Sequence, residues 1–225
     1  MDLMRQGARA FREWKQARKD RNTIDKLRND PSTFLRSHTL NTAWPEAPGS
    51  AANQSQQARQ FYLVEEHNPN PATRPGRILG DLRPHTVKNY RLATDQETAA
   101  ALGRVVGSFQ APHLAVRQAH ADDAPNLPAL QPSSLDLRQV GRGSTVHTMD
   151  LSGCTIKREQ HSLFHVQPQA VGADLHHTLG NHTFGPNDYG AQNTSIMFRQ
   201  KRKGLKYYAQ TTDAAGRPQL RKGYL

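Results

Sequence analysis

The stretch Asp150-Leu-Ser-Gly-Cys-Thr-Ile-Lys157 and the run Ser162-Leu-Phe-His-Val166 that follows it decide the fold of this part of the chain. The Ser-Gly pair predicts a tight turn, and the residues after it are strand formers. The second run is also typical of a strand, so we expect an antiparallel pair joined by a loop over residues 157–161. This pairing would bring His165 back beside the segment that follows Cys154.

The residues in and around this turn suggest a thiol site. Cys154 is the only cysteine of the chain, so it can form neither an internal disulfide nor a multi-cysteine metal site, and a nucleophile is its most plausible special use. We predict His165 as the base and Thr148, six positions before the cysteine, as the group that orients the imidazole. The backbone N–H groups of Gly153 and Cys154 are the predicted donors to an oxyanion.

Each member of this set also has a purely structural interpretation. A single cysteine is more often a small buried apolar residue than a nucleophile, and a histidine among apolar strand residues is more often a hydrogen-bonded core residue. On spacing alone, the structural interpretation is the commoner one.

The chain's 225 residues carry a net charge of +11, and 35% of them are hydrophobic. Nine Lys/Arg against four Asp/Glu lie in residues 1–29 (+5), and eight against one lie in residues 198–225 (+7), which leaves −1 for the middle. The thiol candidates therefore lie in an electrically balanced segment between two basic ends. No apolar run is long enough to span a membrane, and no secretory signal is recognisable at the N-terminus.

Outside the thiol segment the pattern predicts a mixed α/β (α+β) chain whose strands lie mostly in its second half. We expect an amphipathic helix over residues 2–28, docked on the protein's own surface rather than serving as a membrane-surface or chaperone-binding arm. A Pro/Ala/Ser/Gln-rich linker over residues 41–60 places the domain boundary between 1–60 and 61–225. A capping box at Thr94–Glu97 predicts a helix over residues 95–106, and the last third reads as short strands with a hairpin over residues 205–220.

Eleven histidines raise the question of a metal. His161 and His165 with Cys154, or His176 and His177 with His182, are the groupings to consider. The chain has no His-Glu-x-x-His motif, and the paired histidines lie among Gly, Asn and Thr. We expect neither a metal nor an organic cofactor.

The thiol segment resembles a known enzyme family. Thr148-Met-Asp-Leu-Ser-Gly-Cys154, followed by Ser162-Leu-Phe-His-Val166, is similar to the Leu-Ser-Gly-Cys motif and downstream strand histidine of the cytotoxic necrotizing factor-like and Burkholderia lethal factor-like glutamine deamidase toxins. A weaker similarity extends over residues 204–212. The resemblance covers roughly residues 135–220, and residues 1–130 have no part in it.

The resemblance implies a sandwich of mixed β-sheets with flanking helices, and a Cys154–His165 pair that converts a glutamine side chain to glutamate. It implies a bacterial toxin or effector that is made in the bacterial cytoplasm, exported without a cleavable signal and active in the target-cell cytosol. The implied partners are a protein substrate, such as a small GTPase or a translation factor, and a secretion chaperone or an immunity protein.

Two other functions remain open at this stage. A cysteine protease or acyltransferase would use the same pair. A nucleic-acid-binding module could use Arg199-Gln-Lys-Arg-Lys-Gly-Leu-Lys-Tyr-Tyr208, where cations alternate with aromatics. The simpler interpretation of that segment is a charged turn that discourages strand aggregation.

Overall fold

The computed structural model describes residues 2–46, 50, 52–74, 84–119, 134–168, 179–190 and 193–225. The histidines at 176 and 177 lie outside these ranges.

The largest element is an eight-stranded mixed sheet. Its parallel pairs are the first with the second strand and the fourth with the fifth, and its other pairs are antiparallel. In spatial order the strands are β1 (Thr39–Asn41), β5 (Asn89–Ala93), β2 (Gln56–Glu66), β6 (Gly103–His113), β9 (Thr145–His147), β13 (Ser195–Lys201), β14 (Gly204–Thr212) and β15 (Pro218–Tyr224).

A second, smaller sheet carries the thiol segment. The expected antiparallel pair is present, with Ile156 directly opposite His165. Its turn is only two residues long, because β10 runs on to Glu159 while β11 begins at Ser162 as predicted. The strands of this sheet are β12 (Thr183–Phe184), β10 (Thr155–Glu159), β11 (Ser162–Pro168) and β7 (Val116–Ala119), with β8 (Leu135–Asp136) also paired to β11. A separate two-stranded sheet pairs β3 (Thr73–Arg74) with β4 (His85–Thr86).

The described helices are few: α1 (Asp2–Asn29), α2 (Pro31–Ser37), α3 (Gln96–Leu102) and α4 (Pro186–Tyr189). The mixed α/β class expected from the sequence is confirmed at that level. None of the helices in the described ranges has the length and apolar character that crossing a membrane requires.

Strand alternation divides the core into two layers. Ile196 and Phe198 of β13 pack between the two sheets with Ile156 and Leu163. Met197, between them in sequence, points to the opposite face, because successive side chains of a strand alternate. That opposite face is covered by the C-terminal end of α1 and by α2, whose buried residues are Leu27, Phe34 and Leu35. The described core thus has a layer of helices, a large sheet and a small sheet.

The structure corrects both ends of the helix expected over residues 95–106. The helix expected over residues 95–106 ends at Leu102, because Val105 is exposed and Val106 buried in the alternating pattern of β6. Its N-cap is Asp95, whose carboxylate accepts from the Thr98 N–H at 2.7 Å, and not Thr94.

The expected linker over residues 41–60 is shorter at both ends. Asn41 closes β1, and β2 already begins at Gln56. Residues on both sides of the predicted boundary at residue 60 share one core: Phe34 and Trp44 before it lie in the same cluster as Phe61 and Phe109 after it.

Candidate active site

The thiol segment is held in place at both of its ends. Leu151 forms an isolated β-bridge with Thr194, with N–O distances of 2.8 and 3.0 Å. After the cysteine, the chain enters β10. Between these anchors Gly153 adopts φ +86°, a left-handed conformation that glycine reaches without steric strain. The sequence therefore forms the tight turn that Ser152-Gly153 predicts.

His165 lies on the strand next to the one that follows the cysteine. Ile156 is directly opposite His165 in the β10–β11 pair, and Cys154 lies two residues before Ile156, just outside β10. An extended chain from Cys154 to Ile156 would make Cys154 a diagonal neighbour of His165, a relation that typically spans about 7–8 Å between Cα atoms. The two side chains form no hydrogen bond with each other in this structure.

Thr148 forms a hydrogen bond with His165. Its Oγ1 lies 2.7 Å from His165 Nδ1 and 2.8 Å from the carbonyl oxygen of Leu114. A carbonyl only accepts, so the threonine hydroxyl donates to Leu114 and its oxygen accepts from the Nδ1–H of His165. This arrangement assigns the imidazole proton to Nδ1.

The tautomer leaves the other ring nitrogen available. His165 Nε2 is buried and has no hydrogen-bond partner among the described residues. An imidazole that is protonated at Nδ1 carries its lone pair on Nε2, which can accept a proton. Nε2 is therefore the ring nitrogen that could take a proton from a thiol.

Burial keeps both reacting groups neutral. Cys154 is 4% exposed, and removal from water raises its pKa to about 11, although a backbone hydrogen bond with Ser152 acts in the opposite direction. Burial likewise lowers the pKa of His165 to about 3. The resting site is therefore a thiol and a neutral imidazole rather than a thiolate–imidazolium pair.

Tyr189 of α4 spans the cysteine turn. The Gly153 N–H donates to its phenolic oxygen at 3.0 Å, and the phenol donates to the Cys154 carbonyl at 3.0 Å. One of the two predicted oxyanion donors, the Gly153 N–H, is therefore already engaged. The Cys154 N–H, the other predicted donor, is not hydrogen-bonded to Tyr189.

Asp150 anchors the turn from its N-terminal side. Its carboxylate accepts from the Ser195 hydroxyl at 2.7 Å, from the Thr42 N–H at 3.1 Å and from the Thr42 hydroxyl. Burial raises the pKa of this carboxyl, and the hydrogen bonds oppose that shift. Asp150 and Ser195 also line a polar cavity of about 360 Å³ beside the site.

Sequence reasoning missed Tyr189, Asp150 and the Leu114 carbonyl. Asp150 carries a signal, because it is a carboxylate within the apolar run before the turn. Tyr189 and Leu114 carry none, because long-range packing alone brings them to the cysteine, from α4 and from the end of β6.

Two aromatic residues considered for nucleic-acid binding, Tyr207 and Tyr208, pack against other parts of the protein. Tyr208 of the basic hairpin is 3% exposed, and the ring of Tyr207 packs against Phe184 at 4.5 Å between centroids. Tyr208 is therefore too buried to stack on a base, and one ring contact of Tyr207 is already taken by Phe184. Within the described ranges, no three His, Cys, Asp or Glu side chains are grouped as a metal site requires.

Comparisons with models of protein families, with curated proteins and with solved structures each found no match for this chain.

Proposed function

We propose that this protein is a cysteine-dependent glutamine deamidase that acts on a protein substrate. The observation that carries the proposal is the hydrogen bonding of His165: its Nδ1 lies 2.7 Å from the Thr148 hydroxyl oxygen, and its buried Nε2 has no partner among the described residues. The motif resemblance gives the reaction class.

In the proposed reaction His165 acts as a general base during attack rather than before it. Nε2 takes the Cys154 proton as the sulfur forms a bond to the side-chain carbonyl carbon of a glutamine. The carbonyl oxygen becomes an oxyanion, to which the Cys154 N–H can donate. This sequence suits a site whose burial disfavours a preformed thiolate.

The second half of the reaction restores the enzyme. The tetrahedral intermediate collapses, the C–N bond breaks and the imidazolium protonates the departing ammonia. His165 then removes a proton from water, whose oxygen attacks the thioester and releases glutamate and the free thiol. The balance is glutamine plus water to glutamate plus ammonia, and no metal or organic cofactor takes part in these steps.

The test is a comparison of glutamine states in a target-cell lysate. Lysate treated with the wild type, with Cys154→Ala and with the matched control Ser152→Ala is digested and analysed by mass spectrometry. We expect specific glutamines to become glutamate with the wild type and with Ser152→Ala, whose side chain is exposed, but not with Cys154→Ala.

The same measurement separates the alternatives. New peptide termini that depend on Cys154 would assign the pair to a protease, and acyl groups transferred to substrate side chains would assign it to an acyltransferase. Identical glutamine states in lysate treated with the wild type and with Cys154→Ala would remove the deamidase proposal.

A further inference from the structure

The outer part of α1, residues 5–21, has its side chains exposed except for Asp20, which is half-buried. The helix meets the rest of the protein near its C-terminal end, where Leu27 is fully buried and Ile24 packs against the same core cluster. Asp20 is held there by Arg104 at 2.8 Å. The expectation that the whole helix docks on the protein's own surface is therefore wrong for residues 5–19.

Two large aromatic side chains lie on this outer part of α1 and face away from the rest of the protein. Phe11 is 61% and Trp14 is 56% exposed, and their rings stack with centroids 5.9 Å apart. At 3.6 residues per turn they lie roughly 140–160° around the helix from Leu27. One helix thus has two apolar stripes, one buried against the body and one without a partner among the described residues.

The charges around the unpartnered stripe are mostly positive. Residues 5–21 carry seven cations and two carboxylates, a balance of +5, the cations being Arg5, Arg9, Arg12, Lys15, Arg18, Lys19 and Arg21. Both carboxylates are already engaged, Glu13 with Arg9 at 2.8 Å and Asp20 with Arg104. Arg18 lies over the Trp14 ring at 5.7 Å. The surface that complements this face must be anionic and must accept two aromatic rings.

We infer that this face of α1 lies on an anionic lipid surface, with Phe11 and Trp14 in the interfacial layer and the surrounding arginines and lysines against the headgroups. An aromatic pair surrounded by long cationic side chains is the composition of a helix that lies in the plane of a membrane interface. A protein groove instead takes apolar anchors over several helical turns. Here Arg18 and Arg21 occupy the next positions of the stripe towards the rest of the protein, so the apolar contact ends at Trp14 on that side.

The experiment uses the full-length protein with vesicles of phosphatidylcholine alone and of phosphatidylcholine mixed with phosphatidylserine, and measures co-sedimentation. We expect binding only to the mixed vesicles, with a blue shift of Trp14 emission. Phe11→Ala combined with Trp14→Ala should weaken binding by about tenfold or more. Both side chains are exposed, so the double variant should keep the wild-type melting temperature. Trp14→Phe should keep most of the binding and lose the emission shift.

Matched controls separate this face from the protein's general basicity. Tyr224→Ala removes another exposed aromatic residue and should bind as the wild type does. Arg12→Glu with Lys15→Glu should abolish binding, whereas Arg202→Glu with Lys203→Glu, the same charge change on the β13–β14 turn, should leave most of it. Cys154→Ala should bind normally, because this inference does not depend on the deamidase activity.

Three results would overturn the inference. The first is absence of binding of the wild type to the mixed vesicles. The second is binding that Phe11→Ala with Trp14→Ala leaves intact and that both charge-reversal pairs weaken equally, because the contact would then be diffuse. The third is equally tight binding to soluble poly-glutamate that depends on Phe11 and Trp14, which would assign the face to an acidic protein.

Discussion

His165 owes its proposed chemistry to a single hydrogen bond made by a neighbour. The Thr148 hydroxyl donates to the Leu114 carbonyl and so can only accept from His165, which fixes the imidazole tautomer. Without this oxygen, the imidazole could carry its proton on Nε2. In that form Nε2 has no lone pair with which to take the Cys154 proton. The threonine is thus proposed to position the base without touching the substrate.

Replacing Thr148 tests this role. Thr148→Val removes the hydroxyl at nearly constant shape and leaves the Nδ1–H of His165 without its acceptor. We expect the rate of glutamine conversion in lysate to fall about ten- to a hundredfold, while Thr148→Ser keeps a hydroxyl and most of the rate. Equal rates for the valine variant and the wild type would show that the threonine does not set the tautomer.

At this scale the sequence predicts the identity of residues better than their contacts. The spacing of Thr148, Cys154 and His165 suggests a common face, and of these three the structure joins Thr148 and His165 by a hydrogen bond. Whether the Gly153 N–H is free to donate to an oxyanion cannot be predicted from the spacing of residues. It depends on a tyrosine 36 residues away in sequence, which the short helix α4 brings to the turn.

Among the elements, the amphipathic pattern of α1 predicts its length well but not its surroundings. The expected range of 2–28 is close to the observed Asp2–Asn29. In the sequence, the two apolar stripes of the helix look like one stripe that shifts gradually around the helix axis. They can be told apart only when the position of the rest of the protein is known. The helix expected over residues 95–106 shows the reverse problem, because a strand with one buried and one exposed valine resembles the end of a helix over so short a window.

Helix α4 is linked to the cysteine turn by the two hydrogen bonds of the Tyr189 hydroxyl group. Tyr189→Phe removes both hydrogen bonds to the turn, so we expect Cys154 to become more accessible and to react faster with iodoacetamide at fixed pH. The loss of buried hydrogen bonds should also lower the free energy of unfolding by about 1–3 kcal/mol. The rate of alkylation and the denaturant midpoint measure the two effects.

The matched control for this change is Tyr224→Phe, because Tyr224 is an exposed tyrosine at the end of β15. It should alter neither quantity. If Tyr189→Phe reacts as slowly as the wild type, the phenol does not hold the turn closed.

Across the whole molecule, histidines form an acid-sensitive part of the core. Burial lowers the pKa of His38 and His113 to about 4 and that of His147 and His165 to about 3. Neither ring nitrogen of His147 has a partner among the described residues, and the ring packs against both Phe61 and Phe109. These imidazoles are therefore held neutral in the folded state.

The pH dependence of stability follows from the sign of these shifts. An unfolded histidine has a pKa of about 6.5, so between that value and the lowered folded-state values the unfolded chain binds more protons. The free energy of unfolding should therefore fall as the pH drops below about 6.5. Asp150 acts in the opposite direction, because its raised pKa lets the folded state take up a proton more readily.

His147→Leu isolates the contribution of one imidazole. It replaces a partnerless ring with an apolar side chain of similar volume, so we expect a smaller loss of melting temperature between pH 7 and pH 5 than in the wild type. Thermal unfolding at the two pH values measures it. An unchanged difference between the two melting temperatures would mean that His147 is not held neutral by burial.

The most direct test of the central claim follows the oxygen atom of the water that completes the reaction. Lysate is treated in water enriched in heavy oxygen with the wild type or with Cys154→Ala. The proposed thioester hydrolysis predicts one heavy oxygen in the side chain of each newly formed glutamate, and only with the wild type. Heavy oxygen at new peptide C-termini, or equal labelling with Cys154→Ala, would contradict it.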